Sequence, residues 1–217
     1  MEKPFTQLLF WNDAMPRTPA GQMACDEALL GAAPLPVLRL YRWKQKAATF
    51  GYAQRLADVQ KTTGGIPLAR RWTGGGIVFH GEDLTIALAV PASASPPPPR
   101  SLYSLIHSAI LGAVLNSIPA ARLAAPSETI DGPACFSAPA VDDILAGSEK
   151  ILGGAIRRTR SGTLYQGSLQ SAEITPETLA QSLAAEVEVF ADPSAVESQA
   201  ARLAAEKYST PAWLALR

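Results

Sequence analysis

Cys135 stands in the segment Ala134-Cys-Phe-Ser-Ala-Pro139, fifteen positions ahead of Lys150, and Lys150 is followed by Ile151, Leu152, Gly153 and Gly154. A loop thiol beside a cation has its pKa lowered from about 8.5, and the thiolate so formed attacks thioesters. The plainer alternative for Cys135 is a small buried hydrophobe, the usual state of a free cysteine. For Lys150 it is a solvated surface charge. A general base needs the neutral amine, and burial together with Arg157 and Arg158 close by in sequence would favour that form.

Three consecutive glycines, Gly74, Gly75 and Gly76, follow Arg71, Trp72 and Thr73 and lead into the apolar run Ile77, Val78, Phe79 that ends at His80. With no side chain between amide and ligand, such a loop at a strand edge can cradle a substrate. A hairpin turn accounts for the glycines equally well. No Lys-Ser or Lys-Thr follows the last glycine and the Gly-x-Gly-x-x-Gly spacing is absent there, which argues against a Walker-type or dinucleotide site. Ser168 follows Gln166 and Gly167 without a His or Asp at a recognisable spacing, so a serine hydrolase triad is not indicated. His80 either positions a substrate or hydrogen-bonds the sheet. Arg157, Arg158 and Arg160 form a basic cluster, suited equally to an acidic partner and to a solvated hairpin tip.

Taken in order, Arg-Arg-Trp-Thr-Gly-Gly-Gly-Ile-Val-Phe-His at 70–80, Lys-Ile-Leu-Gly-Gly-Ala-Ile-Arg-Arg at 150–158 and Gln-Gly-Ser-Leu at 166–169 resemble the lipoate-protein ligase and octanoyltransferase family, which is related to the catalytic domain of biotin protein ligases. Met23 to Leu30, with Asp26 and Glu27, resembles the family's first helix, and Lys207, Tyr208 and Trp213 its usual close; the weakest stretch is Ser93 to Ile130. The resemblance implies an α+β fold of mixed, mostly antiparallel sheets flanked by helices, like the class II synthetases, with residues 1–217 forming one catalytic domain. Cys-Phe-x-x-Pro ahead of the lysine motif is similar to the octanoyltransferase branch that uses a Cys nucleophile in this loop. On that resemblance Cys135 and Lys150 are the catalytic residues. Cys135 would take the acyl group as a thioester, and Lys150 would hold the acyl carbonyl or act as base. Arg71, Thr73, Gly74, Gly75, Gly76, His80, Gly153, Gly154, Ala155 and Gly167 would line the acyl site; the family often has Ser where Gly154 stands. The implied reaction moves an octanoyl or lipoyl group from acyl carrier protein to a lysine of a lipoyl domain or of the glycine-cleavage H protein, with no cofactor. The alternative is a ligase that makes lipoyl-adenylate with ATP and magnesium and gives Cys135 no role. A non-catalytic acyl-binding protein is the less favoured third reading.

The whole chain sets bounds on these readings. Lys and Arg total 19, as do Asp and Glu, so no global field points to nucleic acid or an anionic membrane. Only two cysteines, at 25 and 135, and two histidines, at 80 and 107, are present, without Cys-x-x-Cys, which argues against a disulfide framework or a protein-built zinc site. The first twelve residues do not read as a secretory signal and no run approaches the roughly 18 apolar residues of a membrane span, so a cytoplasmic protein is expected. Apolar periodicity predicts strands at Leu38–Tyr41, Ala47–Tyr52, Ile77–His80, Thr85–Val90 and Asp143–Gly147, and helices at Gly21–Gly31, Leu102–Ser117, Thr178–Val187 and Pro193–Lys207. Ser93 to Arg100, with four consecutive prolines, reads as a stiff connector, and Ser127 to Ser137 as a loop.

Overall fold

The computed structural model describes residues 3–32, 34–129 and 139–216. It opens with β1 (Phe5–Asp13) and then α1 (Pro19–Ala28), which is capped by the Thr18 hydroxyl accepting from the Gly21 amide. β2 (Val37–Tyr41), β3 (Ala47–Phe50), α2 (Leu56–Thr63), β4 (Leu68–Arg70), β5 (Val78–His80), β6 (Leu84–Pro91) and the long α3 (Pro99–Val114) follow. The second half adds β7 (Ala121–Leu123), β8 (Ile144–Ala146), the hairpin of β9 (Glu149–Arg158) and β10 (Gly162–Leu169), α4 (Pro176–Leu183), β11 (Ala184–Val189), α5 (Ser194–Leu203) and α6 (Pro211–Leu214). One sheet has eight strands in the order β11-β1-β2-β6-β10-β9-β8-β7, with parallel pairing at β11/β1 and β1/β2 and antiparallel pairing elsewhere. A second, three-stranded sheet runs β4-β3-β5. This is the mixed, mostly antiparallel α+β architecture that the resemblance implied.

Strand periodicity explains how the large sheet is covered on both faces. Along β6, Leu84, Ile86, Leu88 and Val90 point to one side, where they join Leu38 and Leu40 of β2 against Leu102, Ile106 and Ile110 of α3 and Leu179 and Leu183 of α4. The intervening Ala87 and Ala89 face the other side with Tyr41, Met23, Cys25 and Val196 of α5. Each fully buried Leu or Ile contributes about 1.5–3 kcal/mol from removal of apolar surface from water. The small residues on the second face leave room, and the three-stranded sheet closes over that side.

Several boundaries differ from the sequence expectation. The helix predicted at Thr178–Val187 ends at Leu183, and Ala184–Val189 forms an edge strand parallel to β1. The alternation Glu186, Val187, Glu188, Val189 suits a strand, and β1, which periodicity did not single out, supplies the partner. The proline connector ends earlier than expected because Pro99 is itself the first residue of α3, where its missing N–H costs nothing. The predicted loop at Ser127–Ser137 includes a 3-10 turn at Pro126–Glu128, and its remainder from residue 130 lies outside the described residues.

Among the fully buried residues of α3, His107 is the polar one. It donates from Nδ1 to the Asp142 carbonyl at 2.8 Å, which can only accept, so Nε2 accepts from the Tyr165 hydroxyl at 2.9 Å. Burial pushes the imidazole from its ordinary 6.5 down to about 3; the Asp142 carbonyl opposes this and the Lys150 charge adds to it. The unfolded chain therefore takes up a proton that the folded state refuses. Stability carried by neutral His107 is complete above its unfolded value and is lost as pH falls from there toward about 3. Urea unfolding at pH 5 should give a free energy about 2 kcal/mol below that at pH 7 from this group. In His107→Gln that slope should flatten, and an unchanged slope would assign it to other groups.

Candidate active site

Between the two sheets lies a small cavity of about 20 Å³, room for roughly one water molecule. The three-stranded sheet and the segment after β4 contribute Thr49, Arg71, Val78 and His80; α1 contributes Met23; β2 and β6 contribute Tyr41 and Thr85. β9 and β10 close it with Gly153, Gly154, Ala155, Gln166, Gly167 and Ser168. Six of the ten residues expected at an acyl site, Arg71, His80, Gly153, Gly154, Ala155 and Gly167, thus line one cavity.

The other four stand directly behind it. Thr73 donates from Oγ1 to Gln166 Oε1 at 2.7 Å. Arg71 holds the glycine loop in shape, its Nη2 donating to the carbonyls of Gly74 (2.9 Å) and Gly76 (2.7 Å) while Nη1 donates to Thr49 Oγ1 (2.9 Å). Gly75, at φ +90°, packs where a Cβ would lie 3.2 Å from the Arg71 guanidinium, so the loop tolerates no side chain there without strain.

Two buried polar networks set the floor. The Thr49 hydroxyl accepts from Arg71 and has one proton left, which it gives to His80 Nε2 at 2.8 Å; neutral His80 then donates from Nδ1 to Asp83 at 2.9 Å. Asp83 also accepts from the hydroxyls of Thr85 and Ser168 and from the Gly81 amide. Burial works to raise the Asp83 carboxyl, but the hydrogen bond from His80, then those from Ser168 and the Gly81 amide, hold it below the ordinary carboxylate value. His80 stacks on Trp43 with centroids 4.2 Å apart. Behind this, fully buried Arg39 pairs with Asp13 and Asp26, and Gln166 reaches Asp26 at 2.7 Å, so α1, β2, β10 and the glycine loop are joined through side chains. Burial raises the Asp26 carboxyl, with Arg39 opposing most strongly.

Lys150 is buried, and its ammonium pairs with Asp143 at 2.7 Å. The expectation that Arg157 and Arg158 are its charged neighbours is corrected here. Arg157 lies over the rings of Tyr52 and Trp72, at 4.9 and 4.8 Å, and donates to the Trp72 carbonyl, while Arg158 reaches the carbonyls of Pro96 and Pro97. Both point away along the strand. Lys150 instead folds back along β9, so that a Cβ at Gly153 would lie 2.2 Å from its Cε and 2.6 Å from its Nζ. A side chain there would displace the lysine end, and Gly153 is itself cavity wall.

Cys135 lies outside the described residues. Cys25 is fully buried, and burial pushes its thiol up to about 11, which leaves it unionised at neutral pH. The sequence reading gave no role to Tyr103, Asp143 or Tyr165. A signal was available on α3, where Tyr103 and His107 stand four residues apart and so share a face.

The glycine-walled cavity and the lysine motif beside it now have a fold around them, and that fold has known relatives. The chain belongs to the lipoyl protein ligase A/B catalytic domain family, whose model matches residues 18–207. It is 36% identical to the octanoyltransferase LipM of Macrococcus caseolyticus over 181 residues, 72% of this chain and 63% of that protein. It is 31% identical to the octanoyltransferase LipM of Staphylococcus epidermidis over 183 residues, 73% of this chain and 65% of that one. The chain therefore spans just under two thirds of the length of these relatives. Among solved structures, lipoate-protein ligase A bound with ATP superposes with a TM-score of 0.71 at 22% identity, covering 97% of this chain and 98% of that chain. A bipartite lipoate protein ligase of Thermoplasma acidophilum, analysed with its E2 lipoyl domain, superposes with a TM-score of 0.62 at 21% identity, covering 100% and 98%. These two likenesses establish the fold.

The glycine at 154, where the family resemblance led one to expect Ser, has a local cause. A Cβ there would lie 2.5 Å from the Tyr165 ring, and one at the facing Gly167 would lie 2.3 Å from the Tyr165 hydroxyl. Tyr165 fills the space that a side chain would need. Gly154→Ser should cost about 1–3 kcal/mol in chemical denaturation, the cost of overpacking a core. Combined with Tyr165→Leu, the two changes should cost at least about 1 kcal/mol less than the sum of the single changes. Simple additivity would show that Tyr165 is not what excludes the serine.

Proposed function

We propose that this chain is a protein octanoyltransferase that moves an octanoyl or lipoyl group from acyl carrier protein to a lysine of a lipoyl domain or of the glycine-cleavage H protein. Residues 1–217 act as one catalytic domain, in the cytoplasm; among the described residues no helix is long and apolar enough to cross a membrane. The observation that carries this reading is the buried Lys150–Asp143 ion pair lying against the glycine wall of the cavity.

The chemistry follows from the groups present. Cys135 enters on its place in the Cys-Phe-x-x-Pro motif. Its thiolate attacks the thioester carbonyl carbon of the donor, a new C–S bond forms, and the donor thiolate leaves. The acceptor lysine amine then attacks the acyl-Cys135 thioester, the amide forms, the Cys135 thiolate leaves, and the amine's proton passes to solvent or to that thiolate. Each step develops negative charge on the acyl oxygen. An ammonium held in an ion pair has donors and no acceptor, so Lys150 serves as the electrostatic partner of that oxygen, in preference to the base role that the motif also allowed. The alkyl chain enters between Val78, Met23 and Ala155, which must part to admit it.

The runner-up is an ATP-dependent lipoate ligase, favoured by the fold shared with an ATP-bound ligase. One observation weighs against it: both Nη atoms of Arg71 already bind the glycine loop and Thr49 in place of a phosphate.

Intact mass spectrometry after mixing with octanoyl-acyl carrier protein, without ATP, should show a gain of one octanoyl group that is absent in Cys135→Ala. Absence of the adduct, with acylation of a lipoyl domain only when lipoate and ATP are supplied, would make the protein a ligase.

A further inference from the structure

The proposed chemistry places Lys150 at the acyl oxygen, and the structure shows what holds it there. Asp143 is fully buried in the turn before β8, where Asp142 adopts φ +71° and the two residues exchange backbone hydrogen bonds with Ala124. Three donors converge on its carboxylate: the Lys150 ammonium at 2.7 Å, the Ala140 amide at 2.6 Å and the Tyr103 hydroxyl. A carboxylate paired with an ammonium only accepts, so the single Tyr103 proton points at Asp143. The phenol oxygen is then left to accept the Gly154 amide at 3.2 Å. One oxygen therefore joins the carboxylate that anchors Lys150 to the backbone of the strand that walls the cavity. The ring that carries it is clamped, stacked on His107 with centroids 3.9 Å apart and tilted against Tyr165 at 6.2 Å. Burial, reinforced by the Asp143 charge, pushes the Tyr103 hydroxyl far above its ordinary range, so it keeps its proton throughout the working pH range.

We propose that Tyr103 is a positioning residue for acyl transfer: by bridging Asp143 and the Gly154 amide it sets the distance between the Lys150 ammonium and the cavity wall. The inference rests on the acyl-oxygen role given to Lys150 above, while the bridge itself can be tested without any substrate.

Tyr103→Phe keeps the ring stack and removes only the bridging oxygen. The expected result is a fall in kcat for octanoyl transfer of roughly ten- to a hundredfold, the equivalent of one hydrogen bond to a charged group, with KM for the donor changed less than about threefold. Ser104→Ala supplies the control, because the Ser104 hydroxyl bonds the neighbouring Asp142 carboxylate at 2.6 Å on the same turn. It should leave kcat within about twofold of the parent, as expected for a hydrogen bond made outside the Lys150 pair. The substrate-free arm is nitrogen NMR of the lysine side chains, assigned through Lys150→Gln. The Lys150 ammonium should give an exchange-protected signal in the parent and in Ser104→Ala, and lose it in Tyr103→Phe while the backbone spectrum stays folded. A protected ammonium and undiminished kcat in Tyr103→Phe would overturn the proposal, as would equal losses in Ser104→Ala, which would mean general loosening of the turn. The expected NMR pattern in a protein that forms no octanoyl adduct would support the bridge and sink the transferase reading alone.

Discussion

A charge taken out of water must be met by an opposite charge and by hydrogen bonds, or the group is not tolerated. In this protein that condition falls on Lys150 and Asp143, and much of the fold can be read as meeting it. The lysine end occupies the volume of a missing Gly153 side chain, so any side chain at that point would push the ammonium out of its place beside Asp143. The carboxylate must come from a turn held to the end of β7, and its second oxygen is met from α3, whose own position is set by the leucines of β2 and β6. Sheet, helix and turn each bring one partner to the pair.

The floor of the cavity obeys the same rule with a different outcome. Thr49, His80, Thr85, Gln166 and Ser168 are all polar and all line the space, yet each is hydrogen-bonded to Arg71, Asp83, Asp26, Thr73 or Trp43. Groups satisfied among themselves make a weak claim on a ligand, so the cavity offers an alkyl chain mostly carbon surface. The chemical demand is thereby confined to the end where Lys150 lies. This division, an inert floor and one charged edge, is what the proposed acyl transfer would require.

How much of this was legible before the fold was known depended on the range of the interaction. The glycine run, the lysine motif and the Gln-Gly-Ser-Leu segment are local, and six of the ten residues they named as acyl-site lining stand around one cavity. The buried strands β2 and β6 were visible because covered faces read as continuous apolar runs. β1 and the edge strand β11 were not, since their half-exposed alternation competes with helical spacing until a partner is known. Charge pairing was misread for the same reason. Sequence proximity suggested Arg157 and Arg158 for Lys150, but β9 is extended and carries them away, while the partner arrives from the turn before β8. Tyr103, 47 positions before Lys150 in the chain, could enter only once α3 had been laid across the sheet.

The position of the acyl group relative to Lys150 is the central claim. A structure of the protein trapped with an octanoyl group on Cys135 would measure this directly. The chain should run between the glycine loop at 74–76 and Gly153–Ala155, with the thioester oxygen within hydrogen-bonding distance of Lys150 Nζ. An octanoyl chain lodged elsewhere, for example in the groove between α1 and α5 beside Trp72, or a thioester oxygen turned away from Lys150, would contradict the account.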